Sequence, residues 1–276
     1  MAVHLQRVIE IMPRRGWLEL DLKELWAYRE LLYFLTWRDV KIRYKQTLIG
    51  VAWAVLQPAL TTLVFTLIFS GWVRMDTGDV PYPVFALSGL LIWSFVFSTL
   101  TFASNSFVGN ANLVTKVYFP RIIMPAAAIF AGVIDLAIGL VMLAVVMVYF
   151  RVGVSIQILA SPLFVLLTLL LTGGAGILLS ALNVKYRDVR FALPFLLQIW
   201  MIASPIFYPV TMIPEKWRPL FAINPLVGIL DGFRAAIFGA RFDWTVIGIS
   251  AASTVILLLV AVVVFRSMED DFADVI

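Results

Sequence analysis

Residues 122–150 read IIMPAAAIFAGVIDLAIGLVMLAVVMVYF, and Asp135 is the one charge in the run. A helix rising 1.5 Å per residue needs about 20 apolar residues to cross a hydrocarbon core of roughly 30 Å. The run is longer than that and has no polar stripe to turn toward water, so it predicts a transmembrane helix. Outward from it, further uncharged runs punctuated by polar, Pro or Gly residues predict spans at Gly50–Val73, Pro83–Ser104, Ile158–Leu182, Phe191–Val210 and Trp244–Phe265. Pro219–Ala240 is also apolar, but it carries Asp231 and Arg234 and is broken at Asn224-Pro225. It reads as two short helices that dip into the bilayer without crossing, a form tolerated where protein or water covers the backbone. The expected fold is an all-α integral membrane protein. An N-terminal amphipathic interface helix precedes six transmembrane helices, with two re-entrant helices between the fifth and sixth. The chain divides into an N-terminal region (1–49), a transmembrane domain (50–266) and an acidic tail (267–276).

Composition agrees. The 276 residues are 62% hydrophobic and only 14% charged, against roughly a quarter in soluble domains, and a soluble core cannot hide that much apolar surface. The net charge of +4 is small, and topology explains the basic residues better than a polyanionic partner does. With no Cys and with His4 as the lone histidine, the chain builds no disulfide, no thiolate or zinc site and no His-dependent triad. No G-x-x-x-x-G-K-S/T phosphate loop occurs, so ATP is not bound by that route. The first 49 residues are charged and amphipathic, unlike a cleavable signal peptide. With the N-terminus inside, the inner segments hold 15 Lys and Arg against six outside, which favours both termini in the cytoplasm.

Three polar segments interrupt the apolar pattern. Leucines at near-helical spacing lead into Trp37, Arg38, Asp39, Lys41, Arg43, Tyr44 and Lys45, the composition of a helix lying in the membrane interface. It reads either as an anchor for the first span or as an elbow that also touches a cytoplasmic partner. Two short inner loops follow the same logic. One holds Asn112, Leu113, Lys116, Val117, Tyr118, Phe119, Pro120 and Arg121, and the other Lys185, Tyr186, Arg187 and Asp188. Each is either a basic topogenic loop or a helical knob whose aromatic and basic residues enter a partner's cleft.

Four blocks then resemble a known family: WRDVKIRYKQTLIGVAWAVLQPALTTLVFTLIFS (37–70), NLVTKVYFPRIIMP (112–125), NVKYRDVRFALPFLLQIWMIASPIFYP (183–209) and INPLVGILDGFRAAIFG (223–239). In order, they look like the membrane subunit of type-2 ATP-binding-cassette exporters of polysaccharides, which move O-antigen, capsular polysaccharide or teichoic acid. The resemblance implies a homodimer in a bacterial inner membrane, paired with two copies of a separate ATPase subunit. The ATPase would hold ATP and Mg, with no cofactor in this chain, and the cargo would be a lipid-linked glycan. It also implies ATPase coupling through the loop around Lys116–Arg121, a second contact around Lys185–Asp188, and re-entrant helices near the channel exit. The same fold also serves export of drugs or small lipids. An ion-coupled carrier and an intramembrane transferase are further alternatives.

Aromatic residues in or near spans offer faces on which sugars stack. Trp53, Gln57, Trp93, Phe97, Trp200, Phe207 and Tyr208 are the channel-lining candidates, although membrane proteins also place aromatics in interface belts and packing. Asp135 is the intramembrane polar candidate, set to face a dimer interface or a wet cavity, or to pair with an Arg from a neighbouring helix.

Overall fold

In lipid, an apolar run has nowhere to place its backbone N–H and C=O groups except in its own helix. The computed structural model describes residues 22–45, 52–73, 75–186, 188–269 and 272, and every regular element among them is helical. In chain order these are α1 (Leu22–Ala27), α2 (Arg29–Tyr44), α3 (Ala52–Thr66), α4 (Tyr82–Ser104), α5 (Ala111–Lys116), α6 (Ile123–Tyr149), α7 (Ser161–Lys185), α8 (Val189–Ile202), α9 (Arg218–Phe221), α10 (Pro225–Phe238) and α11 (Trp244–Met268). A π-helical stretch, Leu67–Trp72, extends α3.

Among the described residues, five helices are long and apolar enough to cross a membrane: α3 with its extension, α4, α6, α7 with the 3₁₀ turn before it, and α11. They coincide with five of the six predicted spans. The other, Phe191–Val210, is only partly helical. α8 has 14 residues and stops at Ile202, a length of about 21 Å at 1.5 Å per residue, short of a roughly 30 Å core. Pro205, in a turn, and Pro209, in extended backbone, follow, and both lack the N–H that a continuing helix needs.

A bent helix pair is present where the sequence predicts two short helices. Glu215–Phe221 and Pro225–Phe238 meet at 113°. Local chemistry fixes α10: Asn224 caps it by accepting from the Leu226 N–H at 3.1 Å, Pro225 opens it, and Gly239 closes it with a left-handed φ of 74°. Most of α10 is buried among α11, α7 and α4, which covers its backbone.

α4 is the central helix: 78% of its most apolar stretch is buried, against 11% for α3. It packs on α6, α7 and α3, while α11 packs along α7. The main core joins Leu91, Phe95, Leu171, Phe164, Leu230 and Phe233. A second cluster gathers where α4, α7 and α11 end and α6 begins: Leu35, Phe107, Val114, Phe119, Ile123, Val184, Phe265 and Phe272.

Candidate functional site

The knob is a chain reversal between α4 and α6. α5 forms a turn and a half, then Val117 to Arg121 lead directly into α6. Asn112, Lys116, Val117 and Tyr118 are exposed, Tyr118 by 52%. Phe119 and Pro120 are buried and Leu113 is half-buried, so these three root the loop rather than present it. Arg121 is half-buried, its guanidinium 5.9 Å from the Phe272 ring centre. The Tyr118 hydroxyl donates to Glu24 of α1 at 3.3 Å, tying the knob to the N-terminal helices.

The second loop emerges from the same cluster. Val184 packs with Val114 and Phe119, and Lys185 and Tyr186 then point outward, with the lysine ammonium 5.7 Å from the tyrosine ring. Asp188, also exposed, precedes α8, whereas Arg187 lies outside the described residues. The structure thus brings the roots of the two loops together at one end of the helix bundle.

α2 begins at this end and runs beside α6, its main packing partner. Tyr28, Leu31, Leu32 and Leu35 contact the cluster below the knob. At its other end Arg43 and Tyr44 both donate to the Asp135 carboxylate. Arg43 also lies 4.1 Å from the Phe102 ring centre and reaches the Ala128 carbonyl at 3.4 Å. Burial and the Asp135 carboxylate hold the Tyr44 hydroxyl above its ordinary pKa, so it remains a donor. An unpaired acid in a transmembrane helix costs about 3 kcal/mol, and these partners offset that cost. Asp135 therefore pairs with an Arg, but one from the amphipathic helix rather than from another span. The rest of α2 stays open: Trp37 is 47% exposed, Lys41 sits 5.6 Å over its ring, Lys45 is exposed, and Arg38 binds Asp39 at 2.8 Å.

The aromatic candidates separate into three groups. Trp53 and Gln57, one turn apart on α3, and Phe97 on α4 are exposed. Trp200 and Tyr208 are half-buried. Trp93 and Phe207 are buried inside the protomer and pack rather than line a surface: Trp93 meets Trp200 edge-on at 6.1 Å, and Phe207 stacks on Phe65 at 3.6 Å. The Trp200 indole N–H donates to Asn224 at 2.8 Å, so Trp200 also braces the α10 cap.

Sequence reasoning names Arg234 within Pro219–Ala240 and assigns it no role. It is buried in α10. Its guanidinium donates to the carbonyls of Pro205 and Ile206 at 2.6 Å each, to Phe85 at 3.3 Å and to the Ser88 hydroxyl at 3.2 Å. It also stacks on the Phe85 ring at 3.7 Å. The Pro205 and Ile206 carbonyls belong to the turn where α8 stops, which explains how the chain leaves its helix early: one buried cation satisfies these two freed backbone oxygens. Two charges, Asp231 and Arg234, inside an apolar block were the available signal.

Residues 30–238 match the family described as ABC-2 type transporter. The chain is 30% identical to the O-antigen export system permease protein RfbA of Myxococcus xanthus, over 91% of this chain and 97% of that protein. It is 26% identical to an O-antigen export system permease protein RfbA of Klebsiella pneumoniae, over 90% and 95%. It is also 25% identical to the polysialic acid transport protein KpsM of Escherichia coli, over 84% and 91%. With its helical multi-pass fold and a family match across most of its length, the chain belongs to the ABC-2 type transporter membrane family, as a transport subunit.

Proposed function

We propose that this chain is the pore-forming subunit of an ATP-driven exporter that moves a lipid-linked, O-antigen-like polysaccharide across the bacterial inner membrane. The observation that carries the reading is its similarity, along nine-tenths of its length, to permeases named for O-antigen export. Two copies of the chain pair with two copies of an ATPase subunit that binds ATP and Mg, and both termini face the cytoplasm. The exposed apolar faces of α3 and α8, with Trp53, Leu60, Leu63, Phe195 and Ile199, suit a second copy and the channel between the two.

The mechanism follows from the connections. ATP draws the two ATPase subunits together, and their motion enters at Lys116, Val117 and Tyr118. α6 starts directly after the knob and is 27 residues long, so it carries the displacement as a rigid lever. The two membrane subunits then shift against each other, a rigid-body switch at an interface. Exposed aromatics such as Trp53 and Phe97 give a sugar chain weak, repeated stacking sites, along which a polymer slides without being trapped.

Tyr118 provides the test, because it is exposed while Phe119 is structural. Tyr118→Ala is expected to lower polysaccharide at the cell surface about tenfold, as loss of an aromatic interface anchor does, with the protein inserted at its usual level. Normal export by this variant would overturn the assignment of the knob.

A further inference from the structure

We propose that Asp135 is a positioning residue that makes α2 and α6 one moving body, so that displacement of the knob carries α2 with it. The inference rests on the exporter reading for its functional consequence, but its geometry stands on the chain alone. α2 is held at two places along α6. Near its start, Tyr28, Leu31, Leu32 and Leu35 pack into the cluster that roots the knob, and Tyr118 binds Glu24 of α1 just before it. At its end, Arg43 and Tyr44 close on the two oxygens of Asp135.

The depth of the second attachment explains why it is ionic. Tyr149 and Phe150, both exposed and followed by Arg151, mark the far boundary of α6. Asp135 lies 14 residues before Tyr149, about 21 Å along the helix. In an apolar core of about 30 Å it therefore sits inside the membrane on the knob side. There, apolar contacts between helices have no hydrophobic driving force over contacts with lipid, and packing alone must hold one helix against another. A directed pair adds a contact made at one register only. The Arg43 side chain is only 7% exposed, and Phe102 and the Ala128 carbonyl hold it from the α4 and α6 sides. Sliding α2 by one turn would leave Asp135 unpaired at depth, which the membrane penalises. The pair thus sets the register, and α2, with its open Trp37 and Lys41 face, follows α6.

The chain has no native cysteine, so labels can be placed uniquely. Nitroxides at Tyr33→Cys on α2 and Tyr149→Cys on α6, both exposed, report the register as a distance distribution in the purified chain. The expected result is one narrow distribution, broadened by Asp135→Asn and narrowed again by the swapped pair Arg43→Asp with Asp135→Arg. In the complex with the ATPase that co-purifies with the chain, Asp135→Asn should leave ATP hydrolysis unchanged and lower surface polysaccharide about tenfold, and the swap should restore part of it. An unchanged distance distribution in Asp135→Asn overturns the proposal. So does full export with a broadened distribution, or a parallel loss of hydrolysis and export that the swap does not rescue. Tyr44→Phe, which keeps the ion pair, provides a milder variant that folds if Asp135→Asn does not, and it should broaden the distribution in the same sense. If the wild-type complex exports no polysaccharide, the exporter reading fails while the distances still decide the attachment of α2.

Discussion

Arg43 and Arg234 are both buried, each over a phenylalanine ring, and they are satisfied in opposite ways. Arg43 meets a carboxylate, Asp135, and fixes the side chains of two helices in register. Arg234 is held by the carbonyls of Phe85, Pro205 and Ile206 and by the Ser88 hydroxyl, and fixes a backbone path instead. The difference follows from the guanidinium fork, whose planar N–H groups match a carboxylate at one site and span several carbonyls at another. At the knob end the outcome is α2 attached to α6. At the far end it is an irregular turn braced against the longer helix of a bent pair.

The comparison predicts a ranking of effects. Arg234→Ala strands the Pro205 and Ile206 carbonyls at once, and should cost about 3–5 kcal/mol, read as a large drop in the unfolding temperature of the purified chain in detergent. Arg234→Lys should recover less than half of the loss, because a point ammonium cannot span the turn and α4 together. An unchanged unfolding temperature in Arg234→Ala would break the comparison. Arg43→Met should cost less, about 1–3 kcal/mol, because Asp135 keeps the Tyr44 hydroxyl as a donor. A cost larger than that of Arg234→Ala in the same assay would reverse the ranking. Tyr44→Phe removes one neutral donor from the carboxylate and should cost about 0.5–1.5 kcal/mol. A loss equal to that of Arg43→Met would show that the hydroxyl, rather than the charge, holds α2.

Much of this was legible in the residues. The spans at α3, α4, α6, α7 and α11 coincide with uncharged runs, because lipid leaves an apolar stretch little choice but a helix. The break at Asn224-Pro225 was legible for a related reason, since a cap and a proline mark a helix start wherever they occur. Asp135 stood out as a charge in an apolar run. Its partners did not, because Arg43 and Tyr44 lie more than 90 positions away and their pairing depends on where α2 docks. Trp93 and Phe207 resembled Trp53 in sequence, and only the packing of α4 against its neighbours separated core from surface.

The sequence by itself determined the class of the protein, its long spans and the positions of its loops, because membrane insertion depends on local length, hydropathy and charge. Tertiary structure alone decided three things: that α8 stops short of a full span, that Arg234 satisfies the turn this leaves, and that Asp135 joins α2 to α6. Each depends on a polar group finding partners far away in the chain, and burial makes an unmet hydrogen bond or charge too costly to leave.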